Sequence, residues 1–176
     1  MGLGSSKKLK CLVIGLDNSG KSTVVNFLKP NKVEEVLPTV GFSIEKFRLE
    51  ALKNVKCKIF DMSGSGAYRN LWEHYYEECN GIVFVIDSGD RKRLTSVKEE
   101  IRQMLSHEEM GKNNCPILFL ANKKDVKEAR TPSELRSLLK LDAKTMKERP
   151  YQIMATNALT GEGIIDGMAW LTDRLK

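Results

Sequence analysis

The chain has 176 residues, of which 41% are hydrophobic and 30% are charged, and 29 basic against 23 acidic residues give a formal net charge of +6. This length fits one domain that buries a core without disulfides or structural metals. No apolar run is long enough to span a bilayer, and no apolar stretch with a cleavage site follows the N-terminus, so the sequence argues against a membrane-spanning or secreted protein.

The charge is mostly spread over a mixed surface, so we expect no nucleic-acid partner and a monomer. The local basic exceptions are Lys7, Lys8 and Lys10 near the N-terminus and the stretch 140–149. The cysteines are Cys11, Cys57, Cys79 and Cys115. Because none forms a C-x-x-C pair and three lie in or beside apolar runs, we expect buried, reduced thiols in a cytosolic protein.

Short apolar runs alternate with segments of helical periodicity along the chain. Strands are predicted at 9–15, 42–48, 55–61, 81–87, 116–121 and 151–155, and helices at 20–28, 71–78, 91–107, 132–139 and 163–174. This alternation predicts an α/β fold with a doubly wound, mostly parallel six-stranded sheet flanked by helices. The second and third runs have no helix between them, which predicts one antiparallel edge hairpin. Residues 1–8 are read as a tail and 9–176 as the domain.

The first loop, between a strand and a helix, matches G-x-x-x-x-G-K-[ST] from Gly15 to Ser22. Glycines let backbone amides approach phosphate oxygens, and the helix N-terminus adds positive potential. The predicted nucleotide-binding residues here are Gly15, Asp17, Asn18, Ser19, Gly20, Lys21, Ser22 and Thr23. Lys21 is expected to reach the β- and γ-phosphates and Ser22 to bind Mg²⁺. The motif alone does not separate an ATPase, a kinase and a GTPase.

Two further segments fit sensors of the γ-phosphate. Asp61 and Gly64 form D-x-x-G at the end of the third strand, and Thr39 lies in the long loop before the second strand. We expect Asp61 to hold magnesium through water, and the Gly64 amide to bind the γ-phosphate. Thr39 reaches the metal only if its loop closes, so these loops are predicted to be ordered by GTP and released by GDP.

The segment Asn122-Lys123-Lys124-Asp125 has the form N-K-x-D after an apolar strand. The Asp125 carboxylate can accept hydrogen bonds from guanine N1–H and the 2-amino group, which adenine does not offer, so adenine would leave it unpaired. Asn122 is expected to brace the loop, and the Lys123 stem to cover the purine. After the last strand, an amide near Ala158 and Leu159 is predicted to donate to guanine O6.

Together these motifs resemble the Ras-like small GTPases, and in finer detail the Arf and Arf-like branch. The finer match rests on the segments 15–21, 37–42, 69–76, 161–163 and 170–171, and it covers about 9–175. The segments 41–47 and 60–64 are most similar to the ciliary subgroup of Arf-like proteins, whose GTP form recruits the BBSome coat to ciliary membranes. The resemblance implies GTP or GDP as ligand, Mg²⁺, an exchange factor, a GTPase-activating protein and a coat effector. It also implies a cytoplasmic, peripherally membrane-associated protein located at the cilium or basal body.

The family resemblance also implies a hairpin between the two switches, here 43–60, that slides in register on nucleotide exchange. A two-residue slip keeps each side chain on its face. The loop around 49–54 is longer than usual for the branch, which leaves the register open. The effector-binding aromatics of the family correspond to Phe42, Phe60, Trp72 and Tyr75; ordinary core packing is the alternative for these rings.

One departure concerns hydrolysis. The family places a glutamine after D-x-x-G to orient the attacking water, and this chain has Ser65. The expected catalytic set is thus Lys21, Thr39, Gly64 and a weakened Ser65, with slow intrinsic turnover. Two readings stay open beside a cycling switch: a scaffold that remains GTP-loaded, and a P-loop kinase or ATPase, against which N-K-x-D argues.

The second departure concerns the N-terminus. Residues 1–6 satisfy M-G-x-x-x-[ST], which predicts myristoylation at Gly2. One acyl chain gives marginal membrane binding, and Lys7, Lys8 and Lys10 are candidates for the second, electrostatic signal. The alternative is an engineered end, since Gly-Ser-Ser is common in expression vectors, and the amphipathic helix usual in Arf relatives is not evident here.

Overall fold

A computed structural model describes residues 6–175. Its strands are β1 Lys8–Ile14, β2 Phe42–Leu49, β3 Val55–Met62, β4 Gly81–Asp87, β5 Ile117–Asn122 and β6 Tyr151–Ala155. Its α-helices are α1 Lys21–Leu28, α2 Leu94–Ser106, α3 Glu108–Lys112, α4 Pro132–Leu138, α5 Ala143–Met146 and α6 Ile164–Thr172. Short 3-10 helices span Glu50–Leu52, Arg69–Tyr75 and Arg91–Arg93.

The six strands form one sheet in the order β2-β3-β1-β4-β5-β6. All neighbouring strands run parallel except β2 and β3, which pair antiparallel from Phe42↔Met62 to Leu49↔Val55. The predicted doubly wound fold with an antiparallel edge hairpin is confirmed. The order reverses beside β1, so the loop after β1 lies at the point where such sheets bind ligands.

The sheet separates two hydrophobic cores. One face packs under α2–α5 and the 3-10 helix Arg69–Tyr75, with Leu12, Phe84 and Phe119 fully buried. The other face packs under α1 and α6, with Val13 and Leu118 fully buried. Strands β4 and β5 are buried on both faces, apart from half-buried Asp87, as their unbroken apolar runs predict. The four cysteines are free and buried, which confirms the prediction of unpaired thiols.

The structure corrects several boundaries. The helix predicted at 71–78 is a 3-10 helix at Arg69–Tyr75, anchored by the Trp72 indole, which donates to the Ser63 carbonyl. The segment 91–107 divides into a 3-10 turn and α2. Helices α3 and α5 were not predicted because they are only five and four residues long. Strand β1 begins at Lys8, one residue before its predicted start, and the Lys7 carbonyl accepts from the Lys56 amide.

Candidate nucleotide-binding site

A cleft of about 350 Å³ opens at the carboxyl ends of β1 and β3. Its walls come from three segments that are distant in sequence: the loop 17–23, the loop 36–39 and the segment 63–65. Among the predicted site residues, the structure places the following along this cleft: Asp17, Asn18, Gly20, Lys21, Ser22, Thr23, Thr39, Gly64 and Ser65.

Lys21 begins α1 at the floor of the cleft. Its ammonium donates to the Leu16 carbonyl at 2.8 Å, which bends the lysine back along the loop. Only 6% of Lys21 is exposed, and burial lowers its pKa to about 8, against the opposing attraction of Asp61 and Asp17. A buried cation at a helix N-terminus fits an anionic ligand such as a phosphate.

Gly64 packs directly against this loop. Its carbonyl accepts from the Asp17 amide at 3.1 Å, and an added Cβ would lie 2.3 Å from the Asp17 nitrogen. The space therefore admits only glycine. Arg69 donates to the same Gly64 carbonyl at 2.8 Å, and Arg93 holds the Asp17 carboxylate at 2.9 Å.

Three oxygen-bearing side chains meet beside Lys21. Ser22 Oγ lies 2.6 Å from Thr39 Oγ1 and donates to Asp61 Oδ2 at 2.8 Å, and Thr39 Oγ1 donates to the same oxygen at 3.3 Å. The loop carrying Thr39 is therefore closed over the cleft. The other carboxylate oxygen, Asp61 Oδ1, is buried without a hydrogen-bond partner among the described residues.

The electrostatics of this cluster favour a cation. Burial raises the pKa of Asp61, while the Ser22 hydrogen bond and the Lys21 charge oppose that rise. An orphan buried carboxylate oxygen beside two hydroxyls is the hard, all-oxygen donor set that suits Mg²⁺. Within residues 6–175 no three His, Cys, Asp or Glu side chains gather, so a metal here would take its remaining ligands from phosphate and water.

Asn122 connects the second half of the site. Its Nδ2 donates to the Ser19 carbonyl at 2.9 Å, and its Oδ1 accepts from Thr156 Oγ1 at 3.1 Å and from the Ala158 amide at 3.0 Å. Gly20 must be glycine because a Cβ would lie 2.3 Å from Asn122 Nδ2. One buried amide thus fixes the loops after β1, β5 and β6 relative to one another.

Of the remaining residues of N-K-x-D, Lys123 contacts the phosphate loop. Lys123, at φ 62°, donates from its ammonium to the Asn18 carbonyl at 2.6 Å and to Asp87 at 2.8 Å. Asp125 is exposed, so its carboxylate is open to a ligand. The Ala158 amide is engaged by Asn122, and the Leu159 amide bonds the Asn157 side chain. The predicted bond from this loop to guanine O6 therefore has no free amide at Ala158 or Leu159 in this conformation and stays a prediction.

The phosphate loop, Thr39 and Gly64 line one cleft, and Asn122 and Lys123 bond to the phosphate loop. This arrangement agrees with the comparisons. Residues 1–175 match the ADP-ribosylation factor family. The chain belongs to the ADP-ribosylation factor family. It is 45% identical to ADP-ribosylation factor-like protein 6 of Danio rerio over 177 residues, covering 99% of this chain and 92% of that protein. It is also similar to a solved structure of the Arl6 BBS3 small GTPase from Trypanosoma brucei with bound nucleotide analogue GppNp. The TM-score is 0.88 at 38% identity, over 97% of this chain and 100% of the other. This Arf-like chain is accordingly a GTP-binding small GTPase.

The predicted effector aromatics lie together in this Arf-like chain, but they are not equally accessible. The Tyr75 ring is 5.7 Å from Phe42 and 4.9 Å from Phe60. Phe42 is 45% exposed, whereas Phe60 and Trp72 are 1% and 2% exposed. Phe60 and Trp72 are core residues in this conformation, which does not fit direct contact with a partner. The exposed apolar residues beside Phe42 are Leu37, Val40 and Ile44.

The structure describes only the later part of the predicted N-terminal membrane signal. Gly2 lies outside the described residues. The Lys7 ammonium donates to the Thr172 carbonyl at the end of α6, so Lys7 is directed to one face of the sheet and its neighbours Lys8 and Lys10 to the other. None of the helices among residues 6–175 is long and apolar enough to cross a membrane.

Sequence reasoning missed three charged residues of the site: Arg69, Arg93 and Asp87. Arg93 bonds both the carboxylate and the carbonyl of Asp17, and Asp87 pairs with Lys123. No motif spacing pointed to Arg93 and Asp87, because each bonds a residue far away in the chain. Arg69 does belong to the segment 69–76 that supports the family resemblance.

Proposed function

We propose that this chain is an Arf-like switch whose GTP form binds a coat or effector protein at a membrane. The observation that supports it best is the closed loop, in which Thr39 reaches Ser22 and Asp61 across the cleft. A loop that meets the metal ligands only when closed can report whether a γ-phosphate is present.

In this proposal the loop amides and Lys21 bind the phosphates, and the Gly64 amide senses the terminal one. Lys21 is positioned by its hydrogen bond to Leu16 and needs only to turn toward the anion. Ser22, Thr39 and Asp61, the last through water, would hold Mg²⁺, which when bound neutralises phosphate charge. Asp61 Oδ1, buried and unpaired among the described residues, supports this assignment.

Guanine selectivity is assigned to Asp125, with Lys123 over the base and Asn122 as the brace. The support is that Asp125 is exposed, while Lys123 is held by the Asn18 carbonyl of the phosphate loop and by the Asp87 carboxylate. A carboxylate accepts from N1–H and the 2-amino group of guanine, and adenine would leave it unpaired.

The effector surface is proposed around Phe42 and Tyr75, with Leu37, Val40 and Ile44 exposed nearby. These residues follow or adjoin Thr39, so loop opening would disperse the patch. A two-residue slip of the hairpin β2–β3 keeps each side chain on its face but moves Phe42 away from Tyr75, so it would also disperse the patch. The likeness to an Arf-like protein 6 favours a BBSome-like coat and a ciliary location.

Hydrolysis is proposed to be slow. Ser65 lies at the cleft, but its side chain ends at Oγ and carries no carboxamide to orient water. An activating protein would then supply the missing group. The second candidate, a GTP-loaded scaffold, rests on the same residue.

The test is a competition experiment followed by single-turnover hydrolysis. Purified chain with Mg²⁺ is loaded with fluorescent GTP and challenged with GTP, GDP or ATP. We expect displacement by both guanine nucleotides and not by ATP; displacement by ATP would contradict the assignment of Asp125. Single-turnover measurement then separates a slow switch from a scaffold, since a scaffold shows no GDP formation.

A further inference from the structure

Six basic residues form a two-by-three array across the edge of the sheet. In the register of β2, β3 and β1, Arg48 is opposite Lys56 and Lys56 is opposite Lys8. One row further, Lys46 is opposite Lys58 and Lys58 is opposite Lys10. The basic array therefore consists of Lys8, Lys10, Lys46, Arg48, Lys56 and Lys58.

All six side chains leave the same face of the sheet. The residues between them, Leu9, Phe47 and Cys57, belong to the core under α1 and α6 on the other face. Five members of the array are exposed, and Lys58 is half-buried. Because side chains alternate along a strand, the array forms one continuous basic surface.

The charges of this surface are close and mostly uncompensated. Adjacent strands lie about 4.8 Å apart and same-face residues about 7 Å apart, within a Debye length of about 8 Å. Within residues 6–175, Glu78 is the only carboxylate within ion-pair distance of any member, at 2.7 Å from Lys58. The hydrogen bond from Lys58 lowers the pKa of Glu78. Like charges directly opposite each other destabilise a sheet, so this arrangement costs stability and suggests an anionic ligand.

The basic array is separate from the proposed effector surface. The next row toward the cleft is apolar, with Ile44 opposite Phe60 and Phe60 opposite Leu12. One face of the hairpin thus carries apolar residues beside the cleft and basic residues away from it. Lys8, at the corner of the array, follows Gly2 of the acylation motif by six positions.

We propose that the basic array binds an anionic lipid surface, with its lysines and arginine against phosphate and carboxylate headgroups. This inference rests on the proposed function in one respect: a membrane-acting switch with a single acyl chain needs a second attachment. A broad, exposed array of cations supplies that second attachment. The aromatic ring that contacts the array, Phe60, lies 4.9 Å from the Lys58 ammonium and is 1% exposed, so it offers no face for the base stacking that single-stranded nucleic acid needs.

The test uses the full chain from a host without N-myristoyltransferase, sedimented with vesicles of phosphatidylcholine alone or with phosphatidylserine. We expect binding that rises with phosphatidylserine and falls with salt. The double variant Lys46→Gln/Lys56→Gln should reduce the partition coefficient by roughly 25-fold, since each charge near the surface contributes about a factor of five. The matched control Lys144→Gln/Lys147→Gln removes the same charge from exposed positions near α5 and should change it less than about twofold.

Equal losses in the two double variants would overturn the proposal, because net charge alone would then explain binding. The proposal would also be overturned if phosphatidylserine did not increase vesicle binding of the parent chain. Stronger binding of single-stranded DNA or polyglutamate through the same lysines would overturn it as well. Fluorescent GTP binding is measured on the same samples and should be unchanged in both variants. A chain that binds these vesicles through the array but does not select GTP would uphold this inference and contradict the proposed function.

Discussion

The guanidinium of Arg69 donates from Nε to the Gly64 carbonyl across 2.8 Å. The same side chain lies 3.5 Å from the Asp17 carboxylate and 3.1 Å from Glu100 on α2. One half-buried arginine thus connects the segment proposed to sense the γ-phosphate, the phosphate loop and a helix of the core. Arg69 therefore helps to hold Gly64 in position.

We expect Arg69→Ala to weaken the preference for GTP over GDP. Without the arginine, the Gly64 amide is held less firmly where a γ-phosphate would lie, while contacts to the other phosphates are retained. Loss of partly exposed polar contacts of this kind costs about 1 kcal/mol, or about fivefold. Dissociation rates of fluorescent GTP and GDP measure the effect. Arg102→Ala, which removes an exposed pair with Glu99, is the control; equal acceleration for both nucleotides would contradict the role of Arg69.

A second prediction concerns Ser65. Ser65→Gln adds a carboxamide at the rim of the cleft, so we expect single-turnover GTP hydrolysis to rise at least about tenfold. Ser65→Leu has similar bulk without the amide and should leave the rate near that of the parent chain. If the parent already hydrolyses GTP as fast as the glutamine variant, another group orients the water.

A third prediction tests the base pocket. Asp125→Asn replaces two acceptor oxygens with one donor and one acceptor, so GTP affinity should fall by at least about 100-fold. Xanthosine triphosphate has a carbonyl at C2 in place of the amino group, so it should bind the variant better than GTP does. Competition against fluorescent GTP measures both. Asp173→Asn, at an exposed position after α6, should change neither affinity. If the Asp125→Asn variant still binds GTP better than xanthosine triphosphate, other groups recognise the base.

The parts of the fold and site that could be predicted are those that depend on residues close together in the sequence. The runs at 81–87 and 151–155 were predicted with the bounds that the structure gives, because apolar composition and flanking polar residues define a strand over its own length. The phosphate loop was equally clear, since glycine spacing and a following helix are properties of one segment.

What could not be predicted depends on register and on distant pairs. The basic array is invisible in sequence because Lys46, Lys56 and Lys8 become neighbours only through strand pairing. Likewise, Arg93 lies 76 residues from Asp17, to which it bonds. The aromatic residues also depend on tertiary structure: sequence left Trp72 open between partner contact and core packing, and its burial and its bond to Ser63 favour the core in this conformation.

The last prediction follows from Lys21, whose pKa burial lowers to about 8 in the free chain. This pKa lies below the value of 10.5 for an exposed lysine, so between these two values the folded chain holds fewer protons at Lys21 than the unfolded chain does. The stability of the free protein therefore rises with pH across that window. Phosphate restores the charged form, so nucleotide binding at about pH 9 should take up as much as one proton, and at about pH 7 Lys21 should contribute none. Calorimetric titration with GDP in two buffers of different ionisation enthalpy measures the uptake. Lys21→Arg keeps a charge that does not titrate in this range, so it should remove the Lys21 share of the uptake and leave only the share of the guanine N1–H, which loses its proton near the same pH and must carry it to bind Asp125. Equal uptake by the parent chain and the variant would mean that Lys21 does not take up the proton.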